Sequence, residues 1–107
     1  MLNINMEYVK GVLFVRLKGS LNSSNASKLI DNLIPILINH GIKKLVYNLS
    51  GLSSIDEVGT KSLFMGYNTV LNNYGNVLVI NNNFRIKYFK EVKDELSALM
   101  ILNKKGG

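Results

Sequence analysis

The side chains able to do chemistry are concentrated between residues 48 and 62. There the chain reads Asn48-Leu49-Ser50-Gly51-Leu52-Ser53-Ser54-Ile55-Asp56-Glu57-Val58-Gly59-Thr60-Lys61-Ser62, with hydroxyls on both sides of the adjacent acids Asp56 and Glu57. Neighbouring carboxylates at a helix start cap backbone N–H groups more readily than they form an acid–base pair, which needs both groups aimed at one reacting atom. Enzyme signatures are absent elsewhere. His40 is the only histidine and there is no cysteine, so disulfides, thiolate metal sites and thiol nucleophiles are excluded together. A serine triad would depend on His40, and no Gly-x-Ser-x-Gly elbow presents a serine to it. The expected function is therefore non-catalytic, with no cofactor and no metal.

Elements that position this cluster follow from periodicity. Leu2, Ile4, Met6 and Tyr8 alternate with polar residues, as a half-buried strand does. Lys10-Gly11 supplies a tight turn into a second strand, Val12–Leu17, making a hairpin. Ser23 or Ser24 is expected to cap a helix whose face is Ala26, Leu29, Ile30, Leu33, Ile34 and Leu37, with Pro35 inside it and His40-Gly41 at its end. Lys44–Leu49 reads as a third strand and residues 50–55 as a loop. Asp56 is expected to cap a second helix, with Leu63, Tyr67, Val70, Leu71 and Tyr74 as its buried stripe and Gly75 as its end. Asn76–Ile80 is a short apolar run, as in a strand covered on both faces. Phe84, Tyr88, Phe89 and Val92 fall on one side of an expected third helix, opposite Lys87, Lys90 and Lys93. Met100-Ile101-Leu102 is expected to form a last strand, and residues 104–107 a frayed tail. Helices between strands imply right-handed parallel crossovers. The expected fold is α/β: a mixed sheet of four to five strands with an N-terminal hairpin and helices mainly on one face, in a single domain over residues 1–107.

Composition narrows the partners. Hydrophobic residues make up 47% of the 107, enough for a core. The formal net charge is +6. That suits a solvated basic surface or an acidic partner. The sequence carries no nucleic-acid recognition motif, and its aromatics sit at core spacing, so nucleic acid is not the expected partner. The longest apolar run, Leu33–Ile38, is interrupted by Pro35 and falls short of the ~20 residues of a membrane span. No membrane association and a cytoplasmic location are expected.

The segment Asn48–Gly59 resembles the STAS family, named for sulfate transporters and anti-sigma factor antagonists. Its members typically show a strand ending in Asp-Leu-Ser, a loop, and Asp-Ser-Ser-Gly opening a helix. Asn48-Leu49-Ser50 and Asp56-Glu57-Val58-Gly59 follow that layout, and Gly19-Ser20-Leu21-Asn22 echoes the family's Gly-x-Leu-Asp before the first helix. In anti-sigma factor antagonists the Ser or Thr just before the glycine is phosphorylated by the anti-sigma factor, which is itself a kinase, and the unphosphorylated form binds that partner. The resemblance implies a bacterial regulator of transcription acting through a sigma factor, with an anti-sigma factor or related ATPase-fold protein as partner. A scaffold role beside other STAS proteins and a basic nucleic-acid-binding domain are the alternatives. The implied contact residues are Asn22, Ser53, Ser54, Asp56, Glu57, Val58, Gly59, Thr60 and Ser62. The sequence departs from the pattern at the acceptor, where Val58 has no hydroxyl, and at Asn22 and Asn48, where the family usually has Asp. Loss of the usual phosphorylation switch is expected.

Overall fold

The computed structural model describes residues 1–104. The remaining residues of the expected tail, with the Lys105 charge, lie outside the described residues. Strand β1 (Leu2–Val9) and strand β2 (Val12–Leu21) form the expected hairpin, in unbroken antiparallel register from Leu2 opposite Gly19 to Val9 opposite Val12. Lys10 and Gly11 both have positive φ, 50° and 82°, the twist that lets a two-residue turn join strands without splaying them. Helix α1 (Ala26–Asn39) leads to β3 (Lys44–Ile55), which lies parallel to β2. Helix α2 (Glu57–Asn72) leads to β4 (Asn76–Ile80), parallel to β3. Strand β5 (Lys90–Val92) adds to β4, and helix α3 (Glu95–Leu102) closes the described chain. The sheet order is β1-β2-β3-β4-β5.

Helices α1 and α2 cover one face. Leu29, Leu33 and Leu37 of α1 and Leu63 and Val70 of α2 are buried with Val15 and Leu17 of β2, Leu45 and Tyr47 of β3, and Val79 of β4. Helix α3 covers the other face, where Ala98 lies in a second cluster with Val12, Phe14, Val46, Leu78 and Ile80. The central strands are buried on both sides, which is why they read as continuous apolar runs. Each fully buried leucine contributes about 2 kcal/mol of transfer free energy. Helix α2 docks closely because its inner side is small. A Cβ at Gly66 would overlap Tyr47 Oη, which donates a 2.8 Å hydrogen bond to the Leu63 carbonyl. Burial raises the pKa of this phenol.

Several expectations need correction. Residues 50–55 are not a loop. They continue β3 alongside β2, pairing Gly51 with Lys18 and Ile55 with Leu21 across two register shifts. Leu52 is buried there, so ladder and burial override the local turn preference of Ser and Gly. No helix spans residues 84–92. Arg85 and Tyr88 adopt positive φ, which a right-handed helix forbids, and the Asn82 side chain both accepts from Ile86 N and donates to Ile86 O. Lys87, Lys90 and Lys93 therefore form no helical stripe. Met100–Leu102 is not a strand but the last turn of α3, which starts at Asp94 with its carboxylate accepting from Ser97 N at 2.8 Å. The N-cap position of α1 is Asn25, not Ser23 or Ser24. Leu71 and Tyr74 of the expected α2 stripe are exposed; Gly59, Ser62, Leu63, Gly66 and Val70 are the buried side. The chain leaves α2 through Tyr74 at φ 61°, and Gly75 is needed instead for its close approach to Lys43.

Candidate functional site

Asp56 organises the junction of β2, β3 and α2. As the N-cap of α2 its Oδ1 accepts from Gly59 N at 2.7 Å. Its Oδ2 accepts from Ser23 N at 3.1 Å, in the turn between β2 and α1. Its own N–H donates to the Leu21 carbonyl, 3.2 Å away, and its carbonyl accepts from both Thr60 N and Thr60 Oγ1. One aspartate thus ties the helix start to the neighbouring crossover by both carboxylate oxygens. Gly59 completes the fit. A Cβ there would overlap the Leu21 carbonyl oxygen and lie 3.0 Å from Ile55 Cγ1. Gly59 is therefore required by backbone packing and offers no side chain to a partner.

The rim is built from β2 and β3 together. Ser53 Oγ donates to the Gly19 carbonyl at 2.9 Å, and Ser54 Oγ donates to Ser20 Oγ at 2.9 Å. Asn22 Oδ1 accepts from Ser24 N and Ser24 Oγ, which fixes the β2–α1 turn. Thr60 is half-buried and its hydroxyl is engaged within its own helix. Ser62 is 2% exposed and donates to the Gly59 carbonyl, so it faces the sheet and not the rim. Glu57 projects into solvent, 3.6 Å from Lys61 one turn on. Val58 is 45% exposed in the first turn of α2, flanked by these polar groups. The structure thus brings Asn22, Ser53, Ser54, Asp56, Glu57 and Val58 to one end of the sheet and turns Gly59 and Ser62 inward.

A second polar cluster was not anticipated from sequence. Arg16 on β2 donates from Nε and Nη2 to Glu95 of α3 at 2.8 and 2.7 Å, and from Nη1 to Glu7 and Asn5 of β1. Asn48 donates to the same Glu95 carboxylate at 2.9 Å. The Arg16 guanidinium holds Glu95 below the usual carboxylate range, and Glu95 in turn raises Arg16. This network fastens α3 to the sheet. Its one sequence signal is an arginine inside the apolar run Val12–Leu17, which needs a partner when half-buried. Among the described residues no group of three or more His, Cys, Asp or Glu is placed to hold a metal ion, and no helix is long and apolar enough to cross a membrane.

Comparison with known proteins agrees with the fold. The family model for the STAS domain matches residues 3–89. A putative anti-sigma factor antagonist from Thermotoga maritima superposes with TM-score 0.83 at 16% identity, covering 92% of this chain and 93% of its own. An anti-sigma factor antagonist from Mycobacterium paratuberculosis gives TM-score 0.81 at 20% identity, covering 95% and 94%. The Bacillus cell fate determinant SpoIIAA in its phosphorylated form gives 0.75 at 13% identity, covering 92% and 99%.

Proposed function

The chain belongs to the STAS domain family, and from that premise we propose that it is a non-catalytic binding module of the anti-sigma factor antagonist type, docking an ATPase-fold anti-sigma regulator through the rim at the start of α2. The observation that carries this reading is Val58. An aliphatic side chain stands exposed in the first helical turn, at the position before the glycine, on a frame held rigid by Asp56. An exposed apolar residue ringed by polar groups suits the centre of a protein contact. In the family pattern the same position carries the hydroxyl that is phosphorylated. Valine offers only methyl groups, so phosphoryl transfer has no acceptor there, and the contact is constitutive. Glu57 does not stand in for phosphate: it has one charge where a phosphoserine has nearly two, and fewer acceptor oxygens. A cytoplasmic location follows from this partner class.

The test is calorimetric titration of an ATPase-fold anti-sigma factor from the source genome against wild type and Val58→Arg. Val58 is 45% exposed and belongs to neither buried core cluster, so the variant should melt like wild type while losing binding. Gly59→Arg is unsuited to this purpose, because it would collide with Leu21. Unchanged affinity in Val58→Arg would place the contact elsewhere. Tight, steeply salt-dependent nucleic-acid binding would favour the basic-domain alternative instead.

A further inference from the structure

Strand β1 is the long free edge of the sheet. It has 8 residues against 3 for β5 at the other edge. Exposed edges are normally blunted by lysine, proline, a bulge or brevity. β1 has none of these: its sequence is Leu2-Asn3-Ile4-Asn5-Met6-Glu7-Tyr8-Val9, and its register with β2 is unbroken. The two-residue turn makes Val9 and Val12 a hydrogen-bonded pair, so odd residues of β1 bond to β2 and the N–H and C=O groups of Leu2, Ile4, Met6 and Tyr8 point outward. Two contacts agree with that parity: Met1 O accepts from Ser20 N, whereas Leu2 O faces the Lys28 ammonium at 3.4 Å. The even side chains of β1 lie on the α1 face. There the strand and α1 enclose two adjoining cavities of about 480 and 410 Å³, which share Met6 and Ile36 in their walls. Met1 and Leu2 line one end of this groove; at the other end Tyr8 stands 63% exposed.

We propose that this edge pairs with the same edge of a second copy of the chain, as an antiparallel β1–β1 seam whose two-fold axis passes through Asn5. In that register every residue from Leu2 to Tyr8 finds a partner within the strand, whereas a register centred on Ile4 leaves Tyr8 and Val9 without one. Each residue i meets 10 − i of the copy, so directly opposed side chains share a face. Tyr8 then stands opposite Leu2 and enters the cavity beside it, and Ile4 meets Met6. On the other face Glu7 meets Asn3 and Asn5 meets itself. Glu7 gives Oε1 to Arg16, which leaves Oε2 to accept from the Asn3 amide of the copy. The only charge on the strand thus faces a neutral donor. A register centred on Met6 opposes Glu7 to Asn5 and leaves the Leu2 cavity unfilled; one centred on Glu7 opposes two carboxylates. The Lys28 side chain is long and flexible, and yields Leu2 O to the Tyr8 N–H of the copy. No α2 residue lines the groove, so each copy keeps its rim exposed.

The axis makes the proposal testable with single cysteines, since the chain has none of its own. Residue 5 forms a non-hydrogen-bonded pair with itself, with Cα atoms about 4.5 Å apart, within the roughly 4.4–6.8 Å that a disulfide spans. Asn5→Cys in a glutathione redox buffer should convert to a covalent dimer of doubled mass. Asn3→Cys should remain monomeric, because residue 3 faces residue 7 and its own copy lies about 14 Å away. Sedimentation equilibrium of wild type should show a concentration-dependent doubling of the 12.0 kDa mass. It should strengthen with salt, because two chains of like net charge repel. Asn5→Asp keeps an acceptor for Arg16 but opposes two carboxylates at the axis, so it should weaken the dimer several-fold without lowering the melting temperature. A wild type that stays monomeric into the millimolar range, an Asn3→Cys that cross-links as fast as Asn5→Cys, or a dimer indifferent to Asn5→Asp would each overturn the β1 seam.

Discussion

Asp56 holds two backbone amides from different elements, and removing them one at a time separates its roles. Asp56→Asn keeps an Oδ1 to accept from Gly59 N but replaces Oδ2 with a donor, so the Ser23 N–H loses its partner. That bond is solvent-exposed, and its net worth is about 1 kcal/mol. Asp56→Ala loses the helix cap as well, a further ~1 kcal/mol. The alanine variant should therefore be destabilised by about 2 kcal/mol and the asparagine variant by about half as much, non-additivity aside. For a chain of this length 1 kcal/mol moves the melting point by roughly 4–8 °C. Urea denaturation followed by circular dichroism measures both. With two amides held by one carboxylate, stability should fall in the order wild type, Asn, Ala. An asparagine variant as stable as wild type would show that the bridge to Ser23 contributes nothing, and an alanine variant no worse than asparagine would show that the cap does not.

Other expectations follow from the packing. Gly66→Ala should cost about 1–3 kcal/mol by overpacking against Tyr47, and pairing it with Tyr47→Phe should recover part of the loss, measured by urea midpoints; equal loss in both backgrounds would refute the contact. Glu95 has a depressed folded pKa, so its contribution is complete above its ordinary value of 4.5 and is lost as pH falls through the lower folded value. Stability curves of wild type and Glu95→Gln should accordingly be separated at pH 7 and converge in acid; a constant gap would contradict the Arg16–Glu95 pairing. Pro35 lies on the exposed side of α1 and denies the Asp31 carbonyl its helical donor. Pro35→Ala should keep the fold and raise the melting temperature, whereas a marked drop would mean that α1 needs the proline's backbone geometry for its packing.

Local signals carried the hairpin, α1, the first half of β3, α2 and the cap at Asp56, because in each the periodicity and the turn chemistry agree. They failed where a distant partner decides. The Ser- and Gly-rich stretch 50–55 has turn composition, yet β2 extends beside it and supplies a ladder. The spacing of Phe84, Tyr88, Phe89 and Val92 mimics a helix face, but Phe89 reaches the core from a turn held by Asn82, with Arg85 and Tyr88 in left-handed conformations. At the site, the large apolar residues of α2 point to the wrong azimuth for the helix. The small residues Gly59, Ser62 and Gly66 set it instead, which is why Gly59 and Ser62 face inward while Val58 faces out. The Arg16–Glu95 pair joins residues 79 apart in sequence, and no local pattern reports such a contact.

The proposed docking rim carries Val58 where a phosphorylated hydroxyl would stand, and one experiment reads both binding and phosphorylation. An ATPase-fold anti-sigma factor of the kinase type is mixed with the protein, Mg²⁺ and ATP, and complex formation and intact mass are followed together. Wild type should stay bound with unchanged mass, whereas Val58→Ser should bind, gain one phosphoryl group and dissociate. A wild-type chain that fails to bind, or that acquires phosphate at Ser53, Ser54 or Thr60 and is released, would contradict the proposal.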